Sequence, residues 1–208
     1  MKRIKLFIIS FVTLFVQSIS AQGTAEVWLN KAVDQLHRKG VEIAFRINEE
    51  GFNISGKLLM EGDSYMFDTE EMKVWFDGTT QWTMQFDDEY SELYISNPTP
   101  EDQQSINPYL LLKNYKERFT IRDGSEKVIN GSPIHEVILT AKNDDQELDG
   151  LKVYIKSDGT IAALRLIFPD EREYKVEVRS MRNGLTFPKN SFTYSASAYP
   201  ADEVIDMR

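Results

Sequence analysis

Few residues in this 208-residue chain have the types and spacing that chemistry needs. It has no cysteine, which removes thiolate nucleophiles, disulfides, cysteine-ligated zinc, iron–sulfur clusters and a lipid anchor on an N-terminal cysteine. Its two histidines, His37 and His135, lie far apart in sequence. They form neither HxxxH nor HExxH, the spacings that bring two imidazoles to one helix face around a metal. No glycine-rich phosphate loop and no GxSxG nucleophile turn occurs. Carboxylates do cluster, at Asp87-Asp88-Glu89, Asp144-Asp145 and Asp170-Glu171. Such pairs perform acid–base catalysis when a cleft separates their pKa values. These fall in predicted hairpin loops, where adjacent acids are solvated turn residues. None has the alternating acids around a central glycine of a calcium loop. The expectation is a non-enzymatic protein, with no catalytic residue, no metal and no cofactor. A hydrolase built on a carboxylate pair is the alternative that the spacing does not demand.

Residues 1–21 read MKRIKLFIISFVTLFVQSISA. Lys2, Arg3 and Lys5 form a positive start, Leu6 to Val16 an apolar stretch, and Ser18 to Ala21 a small polar end. That is the layout of a secretory signal peptide, and the apolar run is short for a membrane span. Ser18, Ser20 and Ala21 suit cleavage after Ala21, which disfavours an N-terminal anchor. Removing the leader leaves 21 basic residues against 33 acidic, a net charge of −12. A protein so acidic repels phosphate backbones and anionic lipid surfaces, which excludes nucleic acid as a natural partner. An exported chain without cysteine suits a bacterial periplasm.

The rest, 22–208, reads as a single domain without repeats or a flexible linker. Thr24 can cap a helix in which Leu29, Ala32, Val33 and Leu36 share a face widened by Val27 and Trp28, with Gly40 as its stop. After Gly40 the period becomes two. Val41, Ile43, Phe45 and Ile47 alternate with smaller or polar residues. Turns at Glu50-Gly51, Glu61-Gly62-Asp63, Asp77-Gly78 and Asp87-Asp88-Glu89 then separate short strands in a meander. Pro98 and Pro100 break the pattern. Asn107-Pro108 marks the N-terminus of an apolar stretch, Tyr109 to Tyr115, that reads as one or two short helices inserted between strands. Strands resume at Phe119–Arg122 and Lys127–Ile129, turn at Asn130-Gly131, and run on to a last strand, Phe192–Ala196, before a polar tail. The fold class is α+β: about 11–12 antiparallel strands forming an incomplete barrel or strongly bent sheet, closed by helices on its concave side.

The unusual feature is apolar. Leu58-Leu59-Met60, Val74-Trp75-Phe76, Ile161 to Leu164 and Leu166 to Phe168 carry hydrophobes on both faces of their strands. A meander with one solvated face needs them on one face only. Either both faces are covered as ordinary core, or one faces an enclosed apolar cavity. Periodicity leaves both open.

The order of these features resembles the outer-membrane lipoprotein carrier (LolA) family. Val74-Trp75-Phe76-Asp77-Gly78-Thr79-Thr80-Gln81-Trp82 is similar to that family's DG-x-x-x-W element. Asn107-Pro108-Tyr109-Leu110-Leu111-Leu112 resembles its proline-led lid. Val153-Tyr154-Ile155 with Ser157-Asp158-Gly159-Thr160-Ile161 resembles its late hairpin, and Phe187 to Tyr194 its closing strand. The resemblance implies an apolar cavity and a periplasmic chaperone for lipoproteins. Such a chaperone takes acyl chains from an inner-membrane releasing transporter to an outer-membrane acceptor, and would be expected here as a monomer. Large apolar residues on two-sided strands or the lid are the candidate acyl-binding set: Leu59, Trp75, Trp82, Tyr109, Leu112 and Leu164. Many members carry a basic residue and proline in the turn after the second strand, where the basic residue is tied to cargo transfer. Here that turn is Glu61-Gly62-Asp63, and no residue in it inherits the role. The competing reading is an envelope interaction or sensor module with the same sheet and a filled core.

Overall fold

A computed structural model of the protein describes residues 21–208, apart from 50, 51, 88, 101, 130 and 144–146. The expected leader up to residue 20, the Glu50-Gly51 turn, Asn130 and Asp144-Asp145 lie outside the described residues.

Helix α1 (Ala21–Leu36) buries Ala25, Leu29, Ala32 and Leu36, one residue per turn along a single stripe. Trp28 and Val33 flank it, half-buried, whereas Val27 faces solvent. Thr24 lies within the helix instead of capping it, and the helix ends at Leu36, short of Gly40. Gly40 serves the crossing that follows. It adopts φ +50°, and a Cβ there would sit 2.0 Å from the carbonyl oxygen of Leu185. Only glycine tolerates both conditions.

The first meander is β1 (Val41–Glu49), β2 (Phe52–Glu61), β3 (Ser64–Thr69), β4 (Met72–Phe76), β5 (Gln81–Phe86) and β6 (Ser91–Ser96), each antiparallel to the next. The Asp77-Gly78 turn is held by the Asp77 carboxylate, which accepts from the amides of Thr79 and Thr80 at 2.9 Å. A 3₁₀ turn (Asp102–Ser105), α2 (Pro108–Lys113) and α3 (Tyr115–Arg118) follow. The second meander is β7 (Phe119–Ile129), β8 (Ser132–Ala141), β9 (Gly150–Lys156), β10 (Ile161–Ile167) and β11 (Glu173–Arg182). The two strands expected between Phe119 and Ile129 are one strand, interrupted by a register shift between Asp123 and Glu126. Gly124 sits in that irregularity, where a Cβ would collide with the Glu136 side chain.

The two meanders join where β1 pairs with β11. The result is one twelve-stranded open sheet, in the order β12-β6-β5-β4-β3-β2-β1-β11-β10-β9-β8-β7. So many strands cannot stay flat, and register shifts at Ala44/Phe45 and Ile161/Ala163 bend the sheet further. This is the incomplete, unclosed barrel of an α+β domain. The expected strand Phe192–Ala196 is replaced by a 3₁₀ turn, Lys189–Phe192, and further turns. The last strand, β12 (Glu203–Asp206), lies in the tail and pairs parallel with β6.

Candidate ligand-binding cavity

Strand parity decides what faces inward. On β1, Val41, Ile43, Phe45 and Ile47 point to the concave face, with Met60, Leu58, Gly56 and Ile54 beside them on β2. Register continues this row to Tyr65 and Phe67 on β3, and to Phe76 and Val74 on β4. On the other side of β1 come Met181, Val178 and Val176 of β11, then Leu164 of β10. Gly56 leaves room for the Phe45 ring, since a Cβ there would lie 2.5 Å from Phe45 Cζ. Phe45 then stacks on Phe67 at 5.2 Å between centroids.

Helices cover this face. Helix α1 packs over β7, β8 and β9, where Trp28 stacks on His135 at 3.7 Å and the Lys31 ammonium sits 4.1 Å from the Trp28 ring. The α2 lid is fixed at its N-terminus by Asn107. Its buried side-chain oxygen accepts from the amides of Tyr109 and Leu110, and Pro108 opens the helix. Tyr109 stacks on His37 at 4.9 Å. Both histidines thus hold a helix in place, and among the described residues no three His, Asp or Glu side chains converge as metal ligands.

Between sheet and helices remains a cavity of about 330 Å³. Its floor is Ile43, Phe45, Leu58, Phe67, Leu164 and Val176, and its roof Leu36, Ile106, Pro108 and Leu111. Among the described residues, every one that lines it is apolar apart from the hydroxyl of Tyr174. The volume lies within the range of small-molecule sites, about 300–1,000 Å³. Such a surface can take up hydrocarbon, at a gain of about 0.8 kcal/mol per CH₂ removed from water.

Leu164 lines this cavity. Leu112 is wholly buried, but within the core that it shares with Leu29 and Leu36, while its neighbour Leu111 faces the cavity. Tyr109 is half-buried at the outer side of the lid, against His37. Leu59, Trp75 and Trp82 point the other way. Leu59 pairs with Met66, Met66 with Trp75 and Trp75 with Trp82, forming a row on the convex face. Trp75, Met84 and Leu93 make a separate core there, covered by Tyr194, Tyr199 and Ala201 of the C-terminal tail. Tyr199 stands 5.1 Å from the Trp75 ring and accepts a hydrogen bond from Lys73 at 2.9 Å. On β4 the two-sided pattern therefore has two explanations, since Val74 and Phe76 join the core on the concave face and Trp75 meets the tail on the convex face. On β10, by contrast, Leu164 lines the cavity and Ala163 packs with Ile134 and Tyr154. Ile43, Phe45 and Leu111, which line the cavity without standing in the candidate set, carried a signal in the sequence, because β1 alternates cleanly and Leu111 lies in the lid segment.

Residues 14–161 match the family described as outer membrane lipoprotein carrier protein LolA. The chain belongs to the LolA family. Compared with curated proteins, the sequence matches none. The fold of this LolA-family chain is similar to that of an uncharacterized conserved protein from Thermus thermophilus, with a TM-score of 0.60 and 9% identity over 88% of this chain and 99% of that one. Weaker likenesses are to Pseudomonas aeruginosa MucB in its complex with MucA (TM-score 0.46, 14% identity, 83% of this chain and 62% of that one) and to the LolA superfamily protein NE2245 from Nitrosomonas europaea (0.42, 12%, 82% and 97%). The Glu61-Gly62-Asp63 turn of this LolA-family chain is a tight β2–β3 connection with Gly62 at φ +61°.

Proposed function

We propose that the protein is a periplasmic, non-enzymatic carrier that holds the acyl chains of lipoproteins in the concave cavity. It would receive them from an inner-membrane releasing transporter and pass them to an outer-membrane acceptor. The observation that carries this reading is a cavity lined, apart from the Tyr174 hydroxyl, by apolar side chains under a helical lid in a LolA-family chain. Acyl chains released from a bilayer need such an enclosure, because water opposes their exposure in proportion to chain length. An open cavity favours this over a filled interaction module of the same fold. Export through a cleaved leader ending at Ala21 fits the same role. No helix among the described residues is long and apolar enough to cross a membrane.

Titration of the purified protein with a triacylated lipopeptide, followed by calorimetry and native mass spectrometry, tests the reading. None of the three tryptophans lines the cavity, so intrinsic fluorescence is a poor reporter. The expected result is saturable binding at one site, abolished in Leu164→Glu while circular dichroism shows the sheet intact. A folded wild-type protein that binds no lipopeptide would overturn the carrier.

A further inference from the structure

The apolar cavity is not closed at both ends. Ile47, Ile54 and Phe67, which line it, also line a second groove of about 780 Å³ that continues along the concave face towards the strand tips. The lining changes along this path. Past Phe67 it consists, among the described residues, of Thr69, Gln85 and the carboxylates Glu70, Glu71 and Asp87, together with Met72 and Phe86, with no lysine or arginine among them. Nearby, Asp68 is neutralised by Lys73 at 2.9 Å, whereas Glu70 and Glu71 are exposed and form no ion pair among the described residues. The concave face is therefore a single path from a hydrocarbon-like end under the lid to a polar, negatively charged mouth.

We propose that cargo lies along this path with its acyl tail under α2 and its polar end in the second groove, which selects a positively charged peptide segment adjoining the acyl group. This rests on the carrier reading and names the part of the cargo that the groove recognises. Continuity with the apolar cavity fixes the direction of the ligand, since an acyl chain inserted from the mouth must leave its polar end among these side chains. Charge complementarity fixes the sign. The groove is open to water, so its carboxylates act as a screened field instead of a buried pair, and the selectivity is modest and salt-sensitive.

Calorimetry with two N-palmitoylated peptides of equal length, one carrying two lysines and the other two glutamates, tests this. At low salt the lysine peptide is expected to bind about tenfold tighter, a ratio consistent with two exposed charge pairs. The gap should close at high salt, and also in the Glu70→Gln, Glu71→Gln double variant, whose substitutions lie in the exposed β3–β4 turn. Equal affinities of wild-type protein for both peptides would overturn the groove while leaving the carrier standing. The full preference surviving in the double variant would also overturn it. A failure of both peptides to bind would remove the carrier and the groove together.

Discussion

Glu136 lies buried on the convex side of β8 and shows how one carboxylate can govern acid stability. Burial pushes its carboxyl up, but the Lys127 ammonium at 2.8 Å, the Ser125 amide and the hydroxyls of Tyr154 and Ser125 outweigh that and hold it at about 2, against an ordinary value of 4.5. A folded pKa below the unfolded one contributes stability above the unfolded value, lost as pH falls from about 5 towards 2. Lys127 is 40% exposed, so solvent screening reduces the contribution to about 2 kcal/mol. Urea unfolding should show Glu136→Gln weaker by that amount at pH 7, and wild type and variant converging near the acid end. Gly56 makes a different kind of test. A side chain there meets the Phe45 ring and the carbonyl oxygen of Asp68, 2.7 Å from the Cβ position. Gly56→Val should cost about 1–3 kcal/mol through overpacking. It should also weaken lipopeptide binding, because the displaced ring forms part of the cavity floor.

Among the elements, α2 is too short to persist without its cap and its apolar contacts. Asn107→Ala should lower stability by about 1 kcal/mol, visible in the thermal midpoint, whereas Asn107→Asp should restore most of it, because a carboxylate accepts the same amides. The Asn107-Pro108 signal was plain in the sequence, since both residues act locally. So was the alternation of β1, from Val41 to Ile47. The faces of Leu59, Trp75 and Trp82 were not legible. Their strands carry large residues at odd and even positions alike, and parity alone cannot tell an inward face from one covered by a distant segment. That segment, the tail around Tyr194 and Tyr199, contacts Trp75 across more than a hundred residues of sequence. Strand β12 was hidden for a related reason. Four residues paired parallel to β6 leave no hairpin turn to announce them.

At the scale of the whole molecule, the tail closes what the first meander leaves open, covering the convex tryptophans and one edge of the sheet. Deleting residues 193–208 should expose an apolar patch beside an open β6 edge. The expected outcome is concentration-dependent association in sedimentation velocity, with lipopeptide still bound by the monomeric fraction, since the cavity lies on the opposite face. The β1–β11 seam has a consequence in time. The cavity floor straddles it, with Ile43 and Phe45 contributed by β1 and Val176 and Val178 by β11. These are among the most sequence-distant pairings in the sheet, and closing such a loop delays the step that forms it. Until the chain has emerged as far as Arg182, the first meander can assemble but has no partner along β1. A nascent molecule therefore has no apolar compartment until β11 has paired with β1, whether or not the tail has yet added β12.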